Sequence, residues 1–347
     1  MTSVSEISSD LQSLQRERAR EIKTFNMIMN RLKATVAGMN GYSTKLTKLE
    51  REKMFADAGK LIKKINKGEA EPILFVSNML LSTNAIEEQK KGYEKEMRKL
   101  AKQLPLASWV EKPEQRGFGI LFLAIVIGET GDLSNYANPG KVWARLGCAP
   151  FTKNGVTRMG STWRSRGSGK HGDKLHASDW EEFGYSPRRR SIAFLIGEGI
   201  VKQNWIVANG DRDCGTDGQT AESSQSFSED EGRNGEAGGE TERSIADSSQ
   251  SECLDTAGDV GHETKNRFAG PYRERYDEAK KLAAEKHPEW LECGKCDGSG
   301  KQMKMHPQGK KCKNCKGTGI VWMHCHRHAM LLATKLLLKR LWIEWNQ

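Results

Sequence analysis

The sequence predicts a mainly α protein in four parts: a helical or coiled-coil N-terminal arm, a helix-hairpin-helix-type α domain, a small insert organised by cysteines and carrying a short β-hairpin, and a disordered acidic linker. Three observations carry this. Apolar residues recur at helical spacing through most of the chain, four of the eight cysteines crowd into 23 residues, and one long stretch is acidic and poor in apolar residues.

Composition narrows the classes before any element is placed. With 36% hydrophobic and 29% charged residues, the 347-residue chain falls below the usual apolar share of a packed protein, so part of it is expected to stay unpacked. The longest apolar run, Phe118 to Ile127, is too short for a bilayer and suits a buried helix. The N-terminus lacks a basic region followed by an apolar one, so no secretory signal is expected. Net charge is +10, but it is unevenly spread. Between Asp211 and Glu263 stand 15 Asp/Glu against 3 Lys/Arg, a local balance of −12, which leaves +22 on the remainder. A segregated positive surface of that size suits a polyphosphate partner.

Residues 1–105 read as the helical arm. Leu11, Phe25 and Leu32 share one heptad position and Leu14 and Ile28 another, with Arg18 and Glu21 interrupting the seam. Gly38 to Ser43 breaks the helix, a second helix is expected over about 44–66, and a third from Pro72 with an interruption near Ser82-Thr83-Asn84. Self-association through these helices is one expectation, and a packed arm or spacer is the other.

Residues 106–209 read as the first part of a compact domain. Arg116-Gly117-Phe118-Gly119 opens the apolar helix and Gly128 to Asp132 closes it. A short helix follows near 140–146, Val156 to Trp163 reads as a small hairpin, and 164–184 as a polar, glycine-rich loop. Ser186-Pro187 then places a cap and an N1 proline before a helix to about Asn204. Residues 210–264, with ten apolar residues among the 53 from Asp211 to Glu263, read as the linker. Helices in 265–290 and 323–347 complete the domain, and 291–322 holds the cysteines.

Cys293-x2-Cys296-x15-Cys312-x2-Cys315 has the spacing of a four-thiolate zinc site. Each knuckle continues into glycines, Cys296-Asp-Gly-Ser-Gly300 and Cys315-Lys-Gly-Thr-Gly319, which let backbone N–H groups turn toward the sulfurs. One structural Zn2+ is the expected cofactor. Cys148, Cys214, Cys253 and Cys325 read as ordinary thiols. His324, His326 and His328 follow at alternate positions, which suits phosphate or solvent contact better than a shared metal.

Nucleic-acid contact is expected at the Arg116, Gly117, Phe118, Gly119 turn, where glycines admit a phosphate to a helix N-terminus. It is also expected at Arg158, Arg164, Arg166 and Lys170 of the basic loop, and at Arg188, Arg189 and Arg190. DNA is the expected partner, with RNA as the alternative and no membrane.

The doubled Cys-x2-Cys-x-Gly-x-Gly resembles the cysteine-rich zinc modules of J-protein chaperones, with two repeats where those carry four; the nearest tripeptide to a J-domain motif is His287-Pro288-Glu289. A second resemblance is longer. Gly117 to Ala124, Ile127 to Asp132, Tyr136, Trp143 to Gly147 and Pro150, then Arg188 to Asn204, Tyr272, Tyr276 and Ala329 to Trp342, run in the order of the C-terminal transposase domain of the one-ten family of insertion sequences, the bridge-RNA-guided recombinases. That resemblance implies DNA binding and a cytoplasmic, nucleoid-associated place of prokaryotic or phage type. Two departures limit it. The family's RuvC-like domain, whose four acidic residues bind Mg2+, has no counterpart in the helical first 85 residues, so Mg2+ enters only if the chain is catalytic. The family's nucleophilic serine falls at Asn154, whose amide cannot link to DNA, with Thr152 and Ser161 as the nearby hydroxyls. The expectation is a DNA-binding protein that is not catalytic by itself. The rivals are an active recombinase working with a separate RuvC-like subunit and a zinc-dependent chaperone-type adaptor.

Overall fold

The computed structural model describes residues 3–153, 156–159, 184–207, 267–293, 296, 298–299, 312 and 315–347. These are mainly helical. They divide into two compact units, one holding the described residues of Met1–Ser13, Met97–Asp211 and Thr264–Gln347, the other those of Leu14–Glu96. The division falls inside a helix, between Glu96 and Met97, and not at residue 105. Among the described residues no helix is long and apolar enough to cross a membrane. The acidic stretch lies outside the described residues, as do Asn154, Ser161, Arg164, Arg166 and Lys170.

The Leu14–Glu96 unit is built from three helices, α1 (Val4–Met39), α2 (Lys48–Asn66) and α3 (Leu74–Ala101). Its core is Leu32, Val36 and Ala37 from α1, Ala58, Ile62 and Ile65 from α2, and Val76 and Leu80 from α3. Thr47 and Glu50 form a reciprocal capping box that starts α2, satisfying two otherwise orphaned backbone donors. Leu32, expected on a heptad seam, is buried within this unit's own core. Helix α3 runs unbroken through Ser82-Thr83-Asn84, contrary to the expected interruption. The buried Thr83 hydroxyl donates to the Leu80 carbonyl at 2.9 Å, so a residue that competes with the backbone is satisfied inside the helix.

The other unit adds α4 (Ala107–Val110), α5 (Ile120–Thr130), α6 (Pro139–Arg145), the hairpin strands β1 (Pro150–Lys153) and β2 (Val156–Met159), α7 (Pro187–Gln203), β3 (Trp205–Val207), β4 (Arg267–Ala269), α8 (Pro271–Lys286) and α9 (Met323–Trp345). Helix α5 is the expected apolar helix, with Leu123 through Ile127 all buried. Helix α7 begins where Ser186 and Pro187 place it, the Ser186 hydroxyl accepting from the Arg189 N–H. Helix α9 buries Ala329, Met330, Ala333, Thr334, Leu337, Leu338 and Leu341. Helices α7 and α9 meet at Gly197, where a Cβ would sit 2.5 Å from the Thr334 hydroxyl and 2.8 Å from Met330 Cγ.

Two pairings differ from expectation. The hairpin joins Pro150–Lys153 to Val156–Met159, with Phe151 opposite Arg158, so it starts earlier than the stretch 156–163 and uses Pro150 to Lys153 as its first strand. Antiparallel β3 and β4, with Trp205 opposite Ala269, have no sequence signal, because two three-residue strands far apart in the chain leave no periodic trace.

Candidate metal centre and basic face

The four cysteines converge. All are buried, and their Sγ atoms lie within 4.8 Å of one another. Cys293 and Cys312 sulfurs are 3.9 Å apart and Cys296 and Cys315 sulfurs 3.7 Å. A disulfide would need ~2.05 Å. A tetrahedron of ~2.3 Å metal–thiolate bonds has edges of ~3.8 Å, so the spacing fits a four-sulfur site for one ion of zinc's size and softness.

The module's backbone explains the convergence. Glu292 and Ile320 form an antiparallel bridge, flanked by hydrogen bonds from Cys293 N to Gly319 O (2.9 Å) and from Val321 N to Leu291 O (2.7 Å). This single bridge is what the described residues retain of the short hairpin expected in the insert. The two knuckles turn alike: the Ser299 hydroxyl donates to Cys296 O and the Thr318 hydroxyl to Cys315 O. Gly298, Gly317 and Gly319 all take positive φ, and a Cβ on Gly319 would run into the Gly298 carbonyl. The Gly319 N–H donates to Cys315 Sγ at 3.3 Å. Burial opposes ionisation of that thiol, but backbone donors on Gly317 and Gly319, together with the Cys296 and Cys312 thiols, outweigh it and hold Cys315 below the usual thiol range. Cys148 is the contrast: buried at 1% exposure, its thiol is pushed up to about 11, which makes it an ordinary core residue.

Of the three histidines only His326 is half-buried; His324 and His328 are exposed. His326 Nδ1 lies 2.6 Å from the Tyr276 hydroxyl, and His324 and His328 pack around Trp290, whose other neighbour is a stacked His287 ring 4.1 Å away. The expectation of phosphate or solvent contact is corrected for His326, which is half-buried against Tyr276, whereas His324 and His328 keep exposed surface. Burial, then Lys280, holds His326 below its ordinary value, and burial, then His287, does the same to His328.

The expected DNA-contact residues form two groups at opposite ends of α7. At one end, Arg116 is exposed, Phe118 is fully buried, and Gly117 at φ +93° packs so closely that a Cβ would lie 2.5 Å from Gly199 O. Asn204, fully buried, fixes this turn: its Nδ2 donates to Glu114 O (2.9 Å) and Arg116 O (3.2 Å), while its Oδ1 accepts from Tyr272 N (3.1 Å). The turn is therefore a packing joint between α5, α7 and α8, and only Arg116 and Gly119 keep an open surface.

At the other end, on the order of 20 Å away along α7, stand Arg188, Arg189 and Arg190. Arg188 grips Glu129 with both Nη atoms, and Arg189 Nε donates to Glu129 Oε2 at 3.1 Å. Arg145 Nε donates to the Glu129 backbone carbonyl at 3.3 Å. Arg190 donates to Gly147 O at 2.8 Å. Arg188 and Arg189 side chains keep 32% and 20% of their surface, whereas Glu129 keeps 2%. Burial and then the neighbouring Arg145 lower the Arg189 pKa, against the pull of Glu129. Expected as free surface contacts, these arginines are first of all partners of a buried carboxylate, which residue-type reasoning missed. The same motif supplies Asp132. Burial would raise its pKa, but donors on Ser134 and Trp345 Nε1 hold it below its ordinary value. Glu129 and Asp132 thus serve packing and capping.

Arg158 sits on β2 opposite Phe151. The Thr152 hydroxyl lies 2.7 Å from that of Thr157 across the hairpin, a partner that is no base.

The chain matches no protein-family model, no curated protein and no solved structure.

Proposed function

We propose that this chain is a zinc-stabilised DNA-binding protein related to insertion-sequence transposases, which neither cuts nor joins DNA by itself. The observation that carries this reading is the gathering of Arg145, Arg188 and Arg189 around Glu129, with the latter two in the first turn of α7 and partly exposed. Two guanidinium groups on one carboxylate and a third on its backbone carbonyl, at the positive end of a helix of 17 residues, leave a local excess of positive charge that a phosphate complements. The +22 balance outside the acidic stretch points the same way. The four-thiolate centre suits structural Zn2+, since four buried sulfurs leave no position open for water. Catalysis is unsupported: Asn154 stands at the position of the family's nucleophile, and Thr152 is paired to a second hydroxyl.

The test measures binding of a labelled duplex across a salt series, with the chain compared to Glu129→Gln/Arg188→Gln/Arg189→Gln. Removing the buried carboxylate together with its arginines leaves no unpaired buried charge, so the fold is expected to persist. The local excess falls from two positive charges to one, so the log–log salt slope should flatten by about 0.9. A folded triple variant with an unchanged slope refutes the assignment. In parallel, end-labelled duplex and branched DNA incubated with Mg2+ should show neither nicks nor a protein adduct. An adduct lost on Thr152→Ala would put the recombinase reading first.

A further inference from the structure

Beside the metal centre lies a surface with a different chemistry. Trp322 leaves the cysteine module and caps α9, and the residue is 47% exposed next to exposed Ile320 (48%) and Met323 (37%). A groove of about 460 Å³ runs between this ring and α8, lined by Asp277, Lys280, Lys281, Ala284, Glu285 and Trp322. The Lys280 ammonium lies 5.2 Å from the Trp322 ring centroid and 5.8 Å from that of Tyr276. Asp277 is held by Arg273 Nε at 2.8 Å.

We propose that this groove holds one unpaired nucleotide of a single strand, its base stacked on Trp322 and its phosphates met by Lys280 and Lys281. The inference rests on the nucleic-acid reading above and adds the kind of strand and the place. A large exposed indole flanked by ammonium groups offers the two things a single strand presents together, a base face and a phosphate. Duplex bases cover each other's faces, so a solitary ring cannot reach them. Four of the six lining side chains are charged, while the surface they turn to the groove is mostly apolar, the combination that a stacked base with its phosphate calls for. With Asp277 occupied by Arg273, the two lysines face one remaining carboxylate, Glu285, which gives the groove a phosphate-attracting balance. The ring's position follows from the metal module, because Val321 N is bonded to Leu291 O and Glu292 is bridged to Ile320 immediately before it.

The experiment uses the full, metal-loaded chain and fluorescence anisotropy with labelled dT20, U20 and a 20-base-pair duplex. Trp322→Ala should weaken dT20 or U20 binding on the order of ten-fold, Trp322→Phe should restore most of it, and duplex binding should change by less than two-fold. Whichever of dT20 and U20 responds more identifies the natural strand. Retained zinc and an unchanged circular dichroism spectrum establish that each variant is folded; should Trp322→Ala fail that check, Trp322→Phe and Lys280→Ala/Lys281→Ala decide, the lysine pair being expected to flatten the single-strand salt dependence. Normal single-strand binding by folded Trp322→Ala, with duplex binding intact, overturns this proposal and leaves the DNA-binding reading standing. No binding of any of the three probes sinks both. Loss of binding to a labelled, unfolded polypeptide on Trp322→Ala, with nucleic-acid binding unaltered, would make the groove a peptide site and likewise overturn the proposal.

Discussion

Glu129→Ala is the perturbation that most directly separates folding from binding among the arginines. The carboxylate is 2% exposed and receives three side-chain hydrogen bonds, two from Arg188 and one from Arg189. Deleting it strands two like charges side by side. Removing one partner of a buried pair costs ~3–5 kcal/mol. The arginines keep 32% and 20% of their side-chain surface, so water recovers part of their solvation and the expected loss is at the lower end, about 3 kcal/mol. Leu14–Glu96 contains no tryptophan, whereas Trp109, Trp143, Trp290, Trp322, Trp342 and Trp345 lie in the unit that contains Glu129, so indole fluorescence is blind to the other unit. At ~2 kcal/mol per molar urea, the midpoint should fall by about 1.5 M. The Gln triple variant should lose much less, since it removes the charges together. The reasoning fails if Glu129→Ala loses under ~1 kcal/mol, or if the triple variant loses as much as the single one.

Two further perturbations test the joints of the fold. Chelating the metal should raise hydrogen exchange across Leu291 to Val321, and the purified chain should carry one zinc per molecule; four thiols alkylated in a metal-free protein with unchanged exchange would speak against the centre. Asn204→Ala should cost ~2–4 kcal/mol by the same fluorescence assay, because it leaves Tyr272 N and the carbonyls of Glu114 and Arg116 short of partners inside the protein; a loss below ~1 kcal/mol would show that water replaces the amide.

What is legible in the sequence is what local chemistry dictates. Ser186-Pro187 announces a helix start because a capping oxygen and a fixed φ act within one turn. The cysteine spacing announces a metal centre because each knuckle is a closed local turn. The misses share a different cause. Ser82-Thr83-Asn84 looks like a break until the burial of Thr83 within α3 is known. The pairing of Trp205–Val207 with Arg267–Ala269 spans the whole acidic stretch, and no local pattern encodes it. Asn204 sits at a helix end like many asparagines, and only its partners on distant segments make it a joint. The glycines at 117 and 119 suggest room for a phosphate, yet the room at Gly117 is filled by the backbone at Gly199.

The arginines carry the same lesson into function. A count of positive charge treats every guanidinium as available to phosphate, but a folded chain first commits some of them to its own carboxylates and carbonyls. Arg190 is held by Gly147 O and Arg188 grips Glu129 with both Nη atoms. Alanine at positions 188 to 190 would therefore weaken DNA binding even in a protein that never touches DNA there, simply by unfolding the site. Only a substitution that removes the buried carboxylate with its partners isolates the electrostatic contribution, which is why the triple glutamine variant decides the matter.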